Sequence, residues 1–320
     1  LRKITFRQAI SEALEEEMLR DPKVFIMGED IATGGAYAGV TKDLPQKVGP
    51  ERVINTPISE SCFTGAALGA ALRGFRPIVE FMIGDFYAVA ADQIINQIAK
   101  ARYMSGGRVT APITIRLPNG GYLNQASQHS QSVESIFIHT PGIKVVCASG
   151  AYSGKGLLKS AIRDDNPVVY LEPKILYTAE EEVPEEEYTI SIPESKILSK
   201  GSDLTIAAYG YQVSQAKEAI RSLPQYSLEL IDLQSLSPLD SDTILKSVSK
   251  TGKLLIVQED YAICSIAEHI AFLVYSSLSE KIKVRIISAK YAPIPFSPPL
   301  EKYILPQIDD ISAAIKEMLG

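Results

Sequence analysis

The sequence has no excess of basic residues, no long apolar run and few cysteines, and each shortage closes a class of function. Lys and Arg number 32 against 38 Asp and Glu, a formal charge of −6. No clustered basic face is therefore expected, as a nucleic-acid binder would need to displace counterions. No apolar stretch approaches the roughly 18 to 20 residues that span a bilayer, so no transmembrane segment is expected. Cys62, Cys147 and Cys264 lie far apart with no CxxC pair. That pattern fits a reducing compartment and offers no zinc or redox motif. Neither GxGxxG nor GxxxxGK[ST] occurs, so a nucleotide-phosphate loop is not expected, and no solenoid period is visible. Residues 1–20 turn acidic and amphipathic after two basic residues, unlike a signal or transit peptide. The expected location is cytoplasmic, with the mitochondrial matrix after leader removal as the alternative.

What is present reads as α/β. A length of 320 residues with 46% hydrophobic content favours two domains over one core. Thr5 with Gln8 forms a possible capping box ahead of Phe6, Ile10, Leu14 and Met18, one face of an amphipathic helix. Short β-branched or apolar runs follow at Val24–Met27, Arg52–Ile54, Pro77–Met82, Pro112–Arg116, Ile143–Cys147 and Pro167–Leu171, alternating with helical stretches. This alternation predicts a doubly wound parallel sheet over residues 1–178. Residues 179–202 hold proline and two acidic runs, Glu180–Glu182 and Glu185–Glu187, which read as a solvated connection. Runs at Leu204–Ala208, Leu228–Asp232, Lys253–Val257 and Lys283–Ile287 restart the alternation in a smaller α/β domain, residues 203–320. Pro293–Pro299 is too proline-rich for helix or central strand and is expected to lie extended.

Ligands in doubly wound sheets bind beyond the carboxyl ends of the strands, and polar residues collect at three such ends. The first is Gly28, Glu29, Asp30, which equally suits an ordinary turn. The second is Thr56 to Glu60, ahead of a small-residue helix in which Gly65, Ala66 and Gly69 allow close backbone approach. Ser59 and Glu60 equally suit a plain helix cap. The third is the long polar stretch Leu117–Ser132, a length that in a compact domain usually signals function, with His129 its only imidazole. His139 and His269 read as structural.

The runs NTPISE (Asn55–Glu60), DQIINQIAKARYMSGG (Asp92–Gly107), QHSQS (Gln128–Ser132), HTPGIKVV (His139–Val146), AIRDDNPVVYLEPKILY (Ala161–Tyr177) and EEVPEEEY (Glu181–Tyr188) closely resemble the β subunits of thiamine-diphosphate-dependent 2-oxo acid dehydrogenases. That family includes the pyruvate, branched-chain 2-oxo acid and acetoin enzymes, and the resemblance covers nearly the whole chain. It implies a transketolase-like pyrimidine-binding domain followed by the family's C-terminal domain, for subunit assembly and acyltransferase docking. The assembly it implies is a heterotetramer of two α and two β chains serving a lipoyl-bearing acyltransferase. Glu60 matches the glutamate that bonds the aminopyrimidine and favours its imino tautomer, whose nitrogen takes the thiazolium proton. Phe86 matches the aromatic stacked on that ring, although a core aromatic would look the same.

His129 matches the histidine used when the acyl group passes to the lipoyl arm, and Glu29 an acidic residue near the cofactor. The carbonyls of Ile113, Ala161, Ile162 and Asp164, with Asn166, match a potassium site of some relatives. The diphosphate motif, GDG with a distant asparagine that holds magnesium, is missing: the nearest text is Gly84, Asp85, Phe86. The resemblance therefore puts the diphosphate and magnesium on an α subunit. Implied is oxidative decarboxylation of a 2-oxo acid with acyl transfer to lipoamide; acetoin cleavage and a mainly structural assembly subunit are the alternatives.

Overall fold

The computed structural model describes residues 1–278 and 281–320. Its strands are β1 (Arg2–Thr5), β2 (Val24–Gly28), β3 (Val53–Asn55), β4 (Arg76–Glu80), β5 (Thr114–Asn119), β6 (Lys144–Cys147) and β7 (Val168–Pro173), then β8 (Glu180–Val183), β9 (Lys196–Ser199), β10 (Leu204–Ala208), β11 (Leu228–Asp232), β12 (Ser235–Ser237), β13 (Lys253–Tyr261) and β14 (Lys283–Ala289). A seven-stranded sheet has the order β12-β6-β7-β5-β4-β2-β3, and a five-stranded sheet the order β14-β13-β10-β11-β9. Strands β2 to β7 pair in parallel, as do β10, β11, β13 and β14. The ten runs read from sequence all became strands. The other four are short antiparallel edge strands outside the βαβ rhythm: β1 with β8, β9 on β11, and β12 on β6.

The connection expected at residues 179–202 is therefore partly sheet. Strand β8, carrying the first acidic run, pairs with β1, and β9 borders the second sheet. Glu181 Oε2 accepts from the Tyr152 amide at 2.9 Å, which serves the free donors and positive dipole at the start of the helix Ala151–Arg163. Of Pro293–Pro299, the last two residues open a helix, Pro298–Ile304. Proline there is favoured because its missing N–H costs nothing in a first turn.

The pleat splits each central strand between two apolar layers. On β4, Ile78 joins Ile26, Tyr170, Leu157 and the helix residues Phe6, Ile10, Leu14 and Met18. That helix, Phe6–Arg20, begins with the expected capping box. Val79 faces the opposite layer with Phe63, Ile94, Leu117 and Leu171, which runs on without a break into Ile231, Leu254 and Ile256 of the second sheet. The two halves share this core, so their relative placement is fixed by apolar burial, each such side chain contributing about 1.5–3 kcal/mol. Strand β12, from the second half, also extends the first sheet.

Candidate functional site

Because β2, β3, β4, β5 and β7 are parallel neighbours, their carboxyl ends share one edge. The chain passes from β2 to β3 and returns across β2 to β4, and such a reversal of order opens a crevice. Glu29 follows β2, Glu60 follows the turn after β3, Phe86 follows β4, and the stretch from Gly120 to Ser132 follows β5. The three sequence-chosen stretches and Phe86 therefore lie along this edge.

Glu60 is the first residue of the helix Glu60–Leu72, and the Ser59 side chain makes no capping bond there. Ser59 thus occupies the cap position without the bond expected of it, while Glu60, in the first turn, does favour the helix dipole. Glu60 is buried. Burial raises the Glu29 carboxyl above its usual range, reinforced by the charges of Glu60 and Asp30; the Thr56 N–H donates to the Gly28 carbonyl at 2.9 Å, which holds the Glu29 and Glu60 turns side by side. Glu29 Oε1, Thr56 Oγ1 and Asp85 Oδ2 are buried without a hydrogen-bond partner. Orphaned polar atoms are costly, and their gathering at one crevice fits a polar heteroaromatic ligand. The half-buried Phe86 ring supplies an apolar wall. Its neighbour is His129, ring centroids 5.4 Å apart and planes at 81°. The Ser61 hydroxyl donates to the Val89 carbonyl at 2.5 Å, joining the Glu60 turn to the Phe86 turn.

The polar stretch is a closed loop. At its base Gly120 N–H donates to the Gln131 carbonyl at 3.1 Å, and Asn119 bridges the Val133 amide and Glu134, both at 3.2 Å. Gly120 has φ +85°, and an added Cβ would meet Glu259 Oε1 at 2.7 Å. Only glycine fits that place. Tyr122, Asn124 and Ala126 also have left-handed backbones, with φ of 68°, 55° and 65°. Strained residues persist where surroundings over-determine them, and here the ties come from several directions. Asp85 Oδ1 accepts from the Gln131 side chain at 2.8 Å. From the second half, Glu259 accepts from Gly121 N–H at 2.6 Å and Glu301 from Asn124 N–H at 3.0 Å. Lys174 donates to the His129 carbonyl and, at 2.8 Å, to Gln125 Oε1.

Beneath the site, Arg116 makes a bidentate contact with Glu172 at 2.7 and 3.0 Å and also bonds Glu80, all fully buried. Burial, opposed by Arg116 and reinforced by Glu172, raises the Glu80 carboxyl to about 7. This trio cross-links β4, β5 and β7 just below the crevice.

Sequence reasoning overlooked Lys174, Asp85, Glu259 and Glu301. Lys174 stood in plain view just past a strand's carboxyl end. Glu259 and Glu301 carried no local signal, lying 138 and 177 residues from the groups they bind. Gly69 does not serve close packing: a Cβ there would meet nothing within 4 Å.

Of the five residues matched to potassium, two offer their carbonyls to Arg76. Its Nε and Nη2 bond the carbonyls of Ile162 at 2.9 Å and Asp164 at 2.5 Å. The Ile113 and Ala161 carbonyls accept from Val168 and Asp164 amides at 2.9 and 3.3 Å, and Asn166 Oδ1 accepts from Arg102 at 2.6 Å. A guanidinium already supplies the positive charge, so the set fits an added cation poorly. For magnesium, no group of three or more His, Cys, Asp or Glu among the described residues is arranged to hold a metal.

Residues 2–180 match the family described as "Transketolase, pyrimidine binding domain", and residues 194–311 match "Transketolase, C-terminal domain". The chain is 45% identical to the pyruvate dehydrogenase E1 component subunit beta of Rickettsia felis, covering 98% of each. It is 44% identical to the acetoin:2,6-dichlorophenolindophenol oxidoreductase subunit beta of Cupriavidus necator, covering 99% of this chain and 98% of that one. The 2-oxoisovalerate dehydrogenase subunit beta of Bacillus subtilis is 38% identical, again over 98% of each. Among solved structures, a split-gene transketolase recorded as an inactive β4 tetramer superposes with a TM-score of 0.82 at 22% identity, covering 99% of this chain and 98% of that one.

Proposed function

The chain belongs to the β subunits of the 2-oxo acid dehydrogenase family, built on transketolase domains, and on that premise we propose that it supplies the pyrimidine-binding half of a thiamine-diphosphate site completed by an α subunit. The reaction is oxidative decarboxylation of a 2-oxo acid, with the acyl group passed to the lipoyl group of a partner acyltransferase. The observation that carries the reading is the buried Glu60, on a turn held beside that of Glu29, whose Oε1 lacks a partner.

The bound cofactor supplies the nucleophile and electron sink that decarboxylation requires. Glu60 would hold a ring nitrogen of the aminopyrimidine and keep a proton there. Glu29 and Thr56 present unpaired oxygens to polar edges in the same crevice, while Phe86 covers a ring face and excludes water. His129 stands beside Phe86 as the group that moves a proton when the acyl group leaves.

Several features favour a second chain at this edge. Ile58, 84% exposed, and Val89, 56% exposed, flank Glu60 and Phe86. Exposed apolar groups beside a site mark an interface. The α subunit then brings the diphosphate and magnesium contacts. Potassium has no role in this reading.

The test is a substrate panel. The chain is co-purified with its α partner, supplied with thiamine diphosphate and magnesium, and assayed with pyruvate, branched-chain 2-oxo acids and acetoin using an artificial electron acceptor. Turnover of one 2-oxo acid is the expected result; turnover of acetoin alone favours the acetoin branch, and turnover of none favours an assembly role.

A further inference from the structure

The ammonium of Lys174 is buried and used by neither half of the reading above. Lys174 sits in the turn after β7, 3% exposed. Burying an ammonium costs several kcal/mol unless its donors are satisfied. Its donors go to two points of one loop, the His129 main-chain carbonyl and the Gln125 side-chain oxygen. Gln125 in turn donates to the Tyr37 hydroxyl at 3.0 Å. The Tyr37 ring lies against Tyr177, centroids 5.4 Å apart, and the Tyr177 hydroxyl donates to Glu172 at 2.7 Å. The loop that carries His129 is thereby fastened to the buried trio of Arg116, Glu80 and Glu172.

We propose that Lys174 is the positioning residue for His129: from the rigid carboxyl end of β7 its ammonium grips the His129 carbonyl and Gln125 together and so fixes where the imidazole stands against Phe86. Three left-handed non-glycine residues precede His129 in this loop, and a loop so strained needs an outside hold to keep one geometry. Apart from Lys174, what holds His129 among the described residues is the local bond from its N–H to the Ala126 carbonyl, 3.2 Å, and the edge-on Phe86 contact. The carboxylates facing Lys174 are Asp85 from the Phe86 turn and Glu259 and Glu301 from the second half. Each of these also binds the loop, so Lys174 and the acidic anchors hold the same segment. Burial lowers Lys174 to about 8, the three carboxylates opposing that shift.

The catalytic consequence rests on the reading of His129 given above; the hold on His129 does not. The test uses the folded chain, which has only three histidines, His139 and His269 being exposed. Imidazole NMR signals and rates of diethylpyrocarbonate modification are compared for the wild type, Lys174→Met and Lys174→Arg. In Lys174→Met the His129 signal moves or broadens and its modification rate rises several-fold, the other two histidines being unchanged, and Lys174→Arg restores most of the wild-type behaviour. In the assembled enzyme, acyl transfer to a lipoyl domain falls roughly 10- to 100-fold, the scale of a misplaced catalytic group, and turnover with an artificial acceptor falls less. A second measurement needs no destabilising variant: on alkaline titration the wild-type His129 signal shows an extra inflection as Lys174 loses its proton, and Lys174→Arg removes it.

An unchanged His129 signal and reactivity in folded Lys174→Met overturns the proposal, as does a wild-type titration with no such inflection. A displaced His129 with intact acyl transfer supports the hold by Lys174 and counts instead against the role given to His129.

Discussion

The imidazole of His129 meets the ring of Phe86 edge to face, 5.4 Å between centroids at an angle of 81°. Two residues that lie 43 positions apart (129 − 86) thus form one wall of the crevice into which Glu60 opens. A ring edge carries partial positive charge and a ring face partial negative charge, so the pair holds its geometry by more than area burial.

From this contact follows a split phenotype for His129→Ala. The variant is expected to lose roughly 10²- to 10⁴-fold in acyl transfer to a lipoyl domain, the range for a lost proton-transfer group. Decarboxylation read with an artificial acceptor should suffer much less. Equal losses in the two assays would reduce His129 to a general binding residue.

Glu60→Gln is expected to fold and assemble but lose most turnover, because an amide cannot act as the acidic partner of the pyrimidine nitrogen. Glu29→Gln should be milder, since burial and the neighbouring Glu60 already favour the neutral form of Glu29. Steady-state assays of the two assembled variants decide this, and near-normal activity in Glu60→Gln removes it from the mechanism.

Phe86→Ala should weaken cofactor binding by about 0.5–1.5 kcal/mol, the value of a ring contact beyond its area. Calorimetric titration of the assembled variant would show it. An unchanged affinity would make Phe86 a packing residue alone.

The buried trio predicts an unusual pH dependence of stability. Arg116 faces two carboxylates, and burial raises Glu80 to about 7 from an ordinary value of 4.5; burial likewise raises Glu259 to about 7. In the folded chain both keep a proton that the unfolded chain has already released, so these groups make stability fall as pH rises from about 4.5 to 7. Glu80→Gln leaves Arg116 matched to Glu172 alone and should flatten the slope, read by urea unfolding at about pH 5 and pH 8. Arg116→Met strands two buried carboxyls and should cost about 3–5 kcal/mol. A Glu80→Gln slope as steep as the wild type's would contradict this account.

The sequence carried the parallel strands plainly because most are apolar runs such as Val168–Leu171, buried on both faces. It concealed β1, β8, β9 and β12 because short antiparallel edge strands need only half a pattern, and β8 is disguised by its acids. Glu29, Glu60 and His129 stood out as candidates because strand ends are where a doubly wound sheet exposes its ligand edge, whereas Phe86 stood out only through the resemblance. Glu259 and Glu301 did not, since their partners are backbone amides in a loop more than a hundred residues away. Arg76 on the carbonyls of Ile162 and Asp164 was equally hidden: a strand's first residue gives no sign of its distant acceptors.

The half-site is the central claim, and calorimetry of thiamine diphosphate on the purified chain, with magnesium, alone and then with the α partner, tests it most directly. A diphosphate carries several charges whose desolvation needs a metal clamp and donors, whereas Glu60, Glu29 and Phe86 grip only a ring. The account predicts weak binding and no turnover by the chain alone, with tight binding and activity appearing together once the α subunit is added. Tight, magnesium-dependent binding by this chain on its own would contradict it.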